Sequence, residues 1–356
     1  MLSSLARALG ASAVISCSFT ACGINASPVA SEPSKGVAES SMPSPSRLLT
    51  GTSPDHTVHY VKLYDSLNGS CCDIAVDPVL NRIYVSSGVR LKGNNTSVVD
   101  ASSFTIVAKV KGFGGAGNVD PKTHNVWLPG LYKENVAVYS GIAGSIVTKV
   151  QLGDCPIESW VDGRRRYAWI AAQCGSYQDP AWVVNADTYV IVAGPIHTPG
   201  VMEINTVNPV TGKFYAYKGE GGNFEINPVT FKASATSFGI VLGVNTRADL
   251  LYAQVNTNDL NIIDGRSEKI EKTVTLSYTP SFIGVNPSLN HIYLSAGQNV
   301  IEVREGETGR LLKTITLPSG ADVVSLAADD KRARIYAIVT VDSNVYLYER
   351  MDQIKG

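Results

Sequence analysis

The 356-residue chain carries 30 Lys and Arg against 31 Asp and Glu, a formal net charge of −1, and 44% of its residues are hydrophobic. So even a balance lacks the basic excess of a nucleic-acid surface. No run of about eighteen apolar residues follows the N-terminal segment, so no membrane-spanning helix is expected.

Residues 1–22 read as a targeting segment rather than as structure. Arg7 supplies a sparse positive region, Ala8 to Ala21 is mostly small and apolar, and the segment ends in Phe19-Thr20-Ala21-Cys22-Gly23. Small residues directly before a Cys resemble the bacterial lipobox, although Phe19 stands where Leu is usual. The resemblance implies that Cys22 is acylated and becomes the mature N-terminus, and Gly23 rather than Asp behind it resembles the outer-membrane sorting pattern. Ordinary secretory cleavage near Ala26 is the competing reading. Residues 23–56 are rich in Ser, Pro and Ala without periodicity and read as a flexible tether. The expected location is the outer membrane or cell surface, with the periplasm as the alternative, and the membrane is met through the lipid anchor only.

A strand-like run follows, Val58-His59-Tyr60-Val61-Lys62-Leu63-Tyr64, and beyond it a nine-residue unit recurs seven times. Its form is an apolar or small residue, Asp or Asn, usually Pro, a short polar turn, and an apolar-aromatic pair. The copies begin at Val76, Val119, Val161, Val207, Val244, Val285 and Ala328, at steps of 43, 42, 46, 37, 41 and 43 residues. Asp-Pro supplies a turn because Pro presets φ and the Asp or Asn side chain bonds nearby amides. Ile83-Tyr84-Val85 opens the return strand, and Ser97–Asp100 and Ile106–Val110 supply a third and a fourth. A period near forty holding four short strands is the signature of a propeller blade. The expected fold is therefore all-β, a seven-bladed β-propeller of four-stranded antiparallel blades over residues 57–350, with 351–356 as a tail. The last blade has only three strands of its own, ending in Asn344–Tyr348, so residues 58–64 are expected to complete it and shut the ring.

With these residues in view, the chain resembles the YVTN-type repeat proteins, named for a return-strand tetrapeptide after the Asp-Pro turn. The stretches Ile74–Gly88 and Val285–Leu294 carry the resemblance, which covers roughly residues 58 to 350. It implies the propeller fold and no particular reaction, since such propellers serve as surface proteins, periplasmic binding proteins and enzyme subunits.

Apart from Cys17 and Cys22, four cysteines remain, and export makes disulfides the default. If Val161 faces Ala168, the same hairpin register sets Cys155 opposite Cys174, within disulfide reach. Cys71-Cys72 lies just ahead of the first inner strand, at the axial mouth. It reads either as a strained vicinal disulfide or soft-metal thiol pair, or as a purely structural pair; a vicinal disulfide beside the axis also resembles the quinone-cofactor alcohol dehydrogenases over two residues. Three places ahead of each unit stand Asp73, Ala116, Glu158, Ile204, Val241, Phe282 and Ser325, with Glu203 one place earlier in blade four. Asp73, Glu158 and Glu203 converging on the axis could hold Ca²⁺ or do acid/base work, and they read equally as ordinary rim acids. Arg164-Arg165-Arg166 reads as a solvated tight turn rather than an anion contact. Loop aromatics Tyr132, Tyr177 and Tyr278 favour a protein, peptide or glycan ligand on the upper face.

No catalytic or cofactor motif is present in the sequence. The expected function is a surface-anchored propeller that binds a ligand or scaffolds partners. The alternative is an enzyme or enzyme subunit, of lactone hydrolase, lyase or redox type, working at the axial mouth.

Overall fold

The computed structural model describes residues 59–64, 73–87, 95–115, 117–131, 133–173, 180–197, 204–218 and 222–352. The chain divides into two units, Met1–Thr50 and Gly51–Gly356, and all described residues belong to the second. Cys22, Cys71, Cys72, Cys174, Glu203, Tyr132 and Tyr177 lie outside the described residues.

Each copy of the repeat opens a four-stranded antiparallel sheet, and seven such sheets form the blades of a ring. The first strands of neighbouring blades, from Ile74–Asp77 in blade one to Asp322–Asp329 in blade seven, contact one another all the way round, blade seven meeting blade one. The unit's apolar pair sits where the pattern requires: Val76 opposes Ile83, and Val161 opposes Ala168. The seven aromatic residues Tyr84, Trp127, Trp169, Tyr215, Tyr252, Tyr293 and Tyr336 are all buried. They fill the wedge between adjacent blades, where no single sheet could cover them.

The recurrent Asp or Asn has two jobs. One side-chain oxygen caps its own turn: Asp77 Oδ1 accepts from the amides of Val79 and Leu80 at 2.9 and 3.0 Å. Asp162, Asn245 and Asp329 do the same in their blades. Gly163, Thr246 and Asp330 replace the Pro without altering the turn, because the cap sets its course. Every copy then closes on a left-handed residue five places after its first: Asn81, His124, Arg166, Gly212, Asp249, Asn290 and Ala333, with φ between 51° and 79°. Asn, Asp, His and Gly accept that conformation readily; Arg166 and Ala333 do so at some cost.

In four copies the remaining polar atom of the Asp or Asn reaches that left-handed residue in the next blade. Asp77 pairs with His124 at 2.9 Å, and Asp120 receives two bonds from Arg166 at 2.7 and 2.6 Å. Asn208 donates to Asp249 at 3.2 Å, and Asn245 to Asn290 at 2.9 Å. Blade four has Gly212 at this place, and the Arg165 guanidinium lies where a side chain there would be, holding Asp162 at 3.2 Å. Across the ring closure Arg332 grips Asp329 at 2.9 Å and donates to the Pro78 carbonyl at 2.7 Å. The basic run is therefore not a solvated turn: two of its three arginines are bound to carboxylates of this chain.

Closure occurs as expected from the missing strand. His59–Tyr64 pairs antiparallel with Asn344–Met351, His59 opposite Glu349 and Tyr64 opposite Val345. The end of the chain does more than trail off. Asp352, almost wholly buried, donates its amide to the Ala333 carbonyl at 2.7 Å. Its carboxylate pairs with His291 at 2.7 Å and accepts from the Tyr293 hydroxyl at 2.6 Å, both in blade six. Blades two and six hold a glycine at this place, where the preceding blade's tyrosine hydroxyl approaches. A Cβ on Gly141 would meet Tyr84 Oη at 2.5 Å, and one on Gly306 would meet Tyr252 Oη at 2.6 Å.

Candidate functional site at the axial mouth

The first strands begin near the axis on the face opposite the Asp/Asn turns. Asp73 precedes the first strand of blade one, and its backbone N–H donates to Ser86 Oγ at 2.9 Å. Its Oδ1 accepts from the Ile74 amide at 2.8 Å and from Ser325 Oγ at 3.1 Å. Ser325 holds the equivalent place in blade seven, so this bond bridges the seam where the ring closes. Burial pushes the Asp73 carboxyl above the ordinary aspartate value, and the two hydrogen bonds only partly offset it. The mouth thus presents a carboxyl that retains its proton more readily than a surface acid.

Glu158 lies in the first strand of blade three, opposite Ala171 and half-buried. The third acid considered for the mouth, Glu203, and the Cys71-Cys72 pair lie outside the described residues. Among the described residues no three His, Cys, Asp or Glu side chains are grouped so as to hold a metal. The partner that the fold brings to Asp73 is a hydroxyl. Repeat alignment had already put Ser325 in the same column as Asp73; what it could not show is that columns one and seven are neighbours.

The strand carrying Glu158 also corrects the cysteine register. A bulge at Ile157 shifts the pairing by one, so Pro156 faces Ala172, and the Gln173 amide donates to the Cys155 carbonyl at 2.8 Å. The register partner of Cys155 is therefore Gln173, and Cys174 lies one residue beyond. Bulges of this kind are invisible to a register extrapolated from the middle of a hairpin.

Several titratable clusters lie away from the mouth. Between blades four and five, Lys213 Nζ sits 2.8 Å from both Glu225 Oε2 and Glu268 Oε1, and Tyr215 donates to Glu268 at 2.9 Å. Burial and the adjoining Glu268 raise the Glu225 carboxyl above its usual range. Burial and the neighbouring Glu268 and Glu225 also push the Tyr215 hydroxyl far up. Tyr278, expected to be a free loop aromatic, instead packs beside the blade five–six core and donates to the buried Glu302 at 2.8 Å; Arg304 holds the same oxygen at 2.7 Å. A cavity of about 270 Å³ on the turn face, bordered by Val76, Asp77, Pro121 and His124, encloses one of the inter-blade links and is remote from the mouth. The sequence held no marker for these clusters, because each joins residues from different blades or strands.

No protein-family model and no curated protein matches the chain.

The two faces of the ring differ in regularity. On the turn face every first hairpin follows one course, with its left-handed residue at one fixed place in all seven blades. On the mouth side the connections between second and third strands range from Asp342–Ser343 in blade seven to residues 87–94 in blade one. Connections between fourth and first strands there also differ, from 237–239 ahead of blade five to 112–117 ahead of blade two.

Proposed function

We propose that this chain is an exported, lipid-anchored propeller of the YVTN type whose mouth-side loops form a binding surface for a protein, peptide or glycan. The observation that carries it is the wider spread of loop lengths on the mouth face, two to eight residues between second and third strands against four to six in the third-to-fourth turns of the other face, since recognition is built on variable loops held by a regular scaffold. The lipobox-like Phe19–Gly23 segment and the Ser/Pro-rich stretch behind it support anchoring through Cys22. Asp73, half-buried and joined to Ser325 at the mouth, suits hydrogen bonding to a polar neutral group. A second reading, an enzyme at the axial mouth, draws on the same raised carboxyl, which could serve as a general acid.

A disulfide at Cys155 would fit an exported protein. We assign its partner as Cys174, one residue past its register position, a bridge worth about 3 kcal/mol for a loop of this length. Non-reducing peptide mapping of exported protein should recover the two cysteines in one linked peptide pair; Cys155 linked elsewhere rejects the assignment.

The functional test uses two variants and a peptide and glycan array. Mass spectrometry of the membrane-extracted protein should find Cys22 acylated as the mature N-terminus, and an unacylated N-terminus would refute anchoring. Array binding should survive Lys122→Ser on the turn face and fall on Lys133→Ser together with Asp73→Asn on the mouth side. The Asn variant is preferred to Ala because it keeps an acceptor for Ser325 and so spares the seam. Equal binding by all variants would move the ligand surface away from the mouth.

A further inference from the structure

Solvent-exposed apolar side chains are not spread evenly over the propeller. Among the described residues, every large aliphatic side chain that is strongly exposed lies either in a turn-face hairpin or in the first three residues of a fourth strand leaving that face. Half of them gather on two adjacent blades: Ile142, Ile146 and Val147 in blade two, and Val190, Ile191 and Val192 in blade three. Ile142 is 70% and Val190 61% exposed. Isolated exposed aliphatics are ordinary, whereas a cluster confined to one end of a molecule marks a contact surface. Cations flank this cluster on the same face: Arg164 is exposed, and the exposed Lys122 lies 3.5 Å from Asp187.

The course of the N-terminal strand identifies what this face meets. His59 opposes Glu349, near the turn-face end of its partner strand, and Tyr64 opposes Val345 towards the mouth. The turn-face position of that end is fixed by Asp352, whose amide bonds to Ala333 in a turn-face hairpin. The N-terminal strand therefore begins at the turn face. If residues 23–56 are the tether that their Ser/Pro-rich composition implies, a chain of that length would span on the order of 35 Å.

We propose that the turn-face rim of blades two and three docks on a phospholipid bilayer. Its aliphatic side chains enter the headgroup–acyl boundary, and Lys122 and Arg164 lie against anionic headgroups. The docking deepens the lipid-anchored reading and rests on it. It orients the mouth-side loops away from the membrane, and it replaces the expectation that the lipid alone makes the attachment.

Vesicle sedimentation of the full chain carrying Cys22→Ser tests the docking without the lipid. The vesicles are phosphatidylethanolamine with phosphatidylglycerol, and phosphatidylcholine alone serves as the neutral control. The protein should sediment with anionic vesicles and less with neutral ones. Adding Ile142→Ser, Val147→Ser, Val190→Ser and Val192→Ser should lower the bound fraction roughly tenfold, as expected for removing several partly buried aliphatic contacts. An unchanged melting temperature would show that these exposed positions leave the fold intact. Absence of sedimentation by the Cys22→Ser protein, or equal binding by the fourfold Ser variant, overturns the proposal. So does a dimer in light scattering that the Ser variant dissolves without any vesicle binding, which would make the rim a contact between two copies. An unacylated mature N-terminus by mass spectrometry would defeat the anchored reading separately, leaving the vesicle result to stand or fall by itself.

Discussion

Asp120 shows why the repeat keeps an acid or amide at one place. It is fully buried, caps its own turn through the Lys122 amide, accepts from Thr123, and takes both bonds of the Arg166 fork from the next blade. Burial alone would raise its carboxyl, but the Arg166 bonds, with Thr123 and the Lys122 amide, outweigh it and hold the group below the usual aspartate range. A depressed carboxyl contributes stability above its unfolded value, and that contribution is lost as the pH falls through the folded one. Asp120→Ala should therefore cost about 2 kcal/mol in urea unfolding at neutral pH, since it removes two of the Arg166 guanidinium's bonds and leaves the more exposed Asp187 as its carboxylate partner. The deficit should shrink as wild type and variant are compared at increasingly acid pH. A deficit that stays constant into strong acid would mean the effect is packing, not charge.

At the scale of elements, blades are joined by polar links whose members come from different sheets. Glu225 in the third strand of blade four and Glu268 in a turn of blade five share the Lys213 ammonium, with Tyr215 and Ser234 donating to one or the other. One ammonium cannot balance two carboxylates, and burial together with Glu268 raises the Glu225 carboxyl above its usual range. A raised carboxyl contributes stability that is full at acid pH and is lost as the pH rises through its folded value. Glu225→Gln mimics the protonated form, so its melting temperature should fall less than that of wild type between about pH 5 and pH 8. Parallel pH profiles for the two proteins would exclude a proton held at this interface. Hydrogen-bonded pairs of this kind set where neighbouring blades sit, while the seven buried aromatics and the aliphatic residues around them supply the apolar burial.

For the whole molecule the decisive feature is a ring closed in three ways. The N-terminal strand completes blade seven, Asp73 joins Ser325 across the same seam, and Arg332 donates across it to the Pro78 carbonyl. Deleting residues 59–64 would expose the edge of Asn344–Met351 and uncover part of a core that contains Leu63, Val345 and Leu347. The expected outcome is a melting temperature lowered by roughly 10 °C or more, together with concentration-dependent aggregation through the open edge. A deletion variant that melts with wild type would show the strand to be an accessory rather than the closure.

The period near forty, the strand order and the unpaired run before the first blade were all legible in the sequence, because each follows from local turn chemistry and alternation that every copy repeats. Seven blades and the N-terminal closure needed no contact beyond that pattern. The links between blades were not legible. Asp77 to His124, Arg166 to Asp120, Asp352 to His291 and Asp73 to Ser325 are separated by 46 to 252 residues or lie across the closure. The bulge at Ile157 likewise escaped, since a register carried outward from Val161 and Ala168 assumes an unbroken ladder. A repeat specifies its own hairpins through neighbours a few residues away. Which face gathers exposed aliphatics, and which acid meets a hydroxyl rather than another acid, depends on how seven such units are set around one axis, and only the tertiary structure decides that.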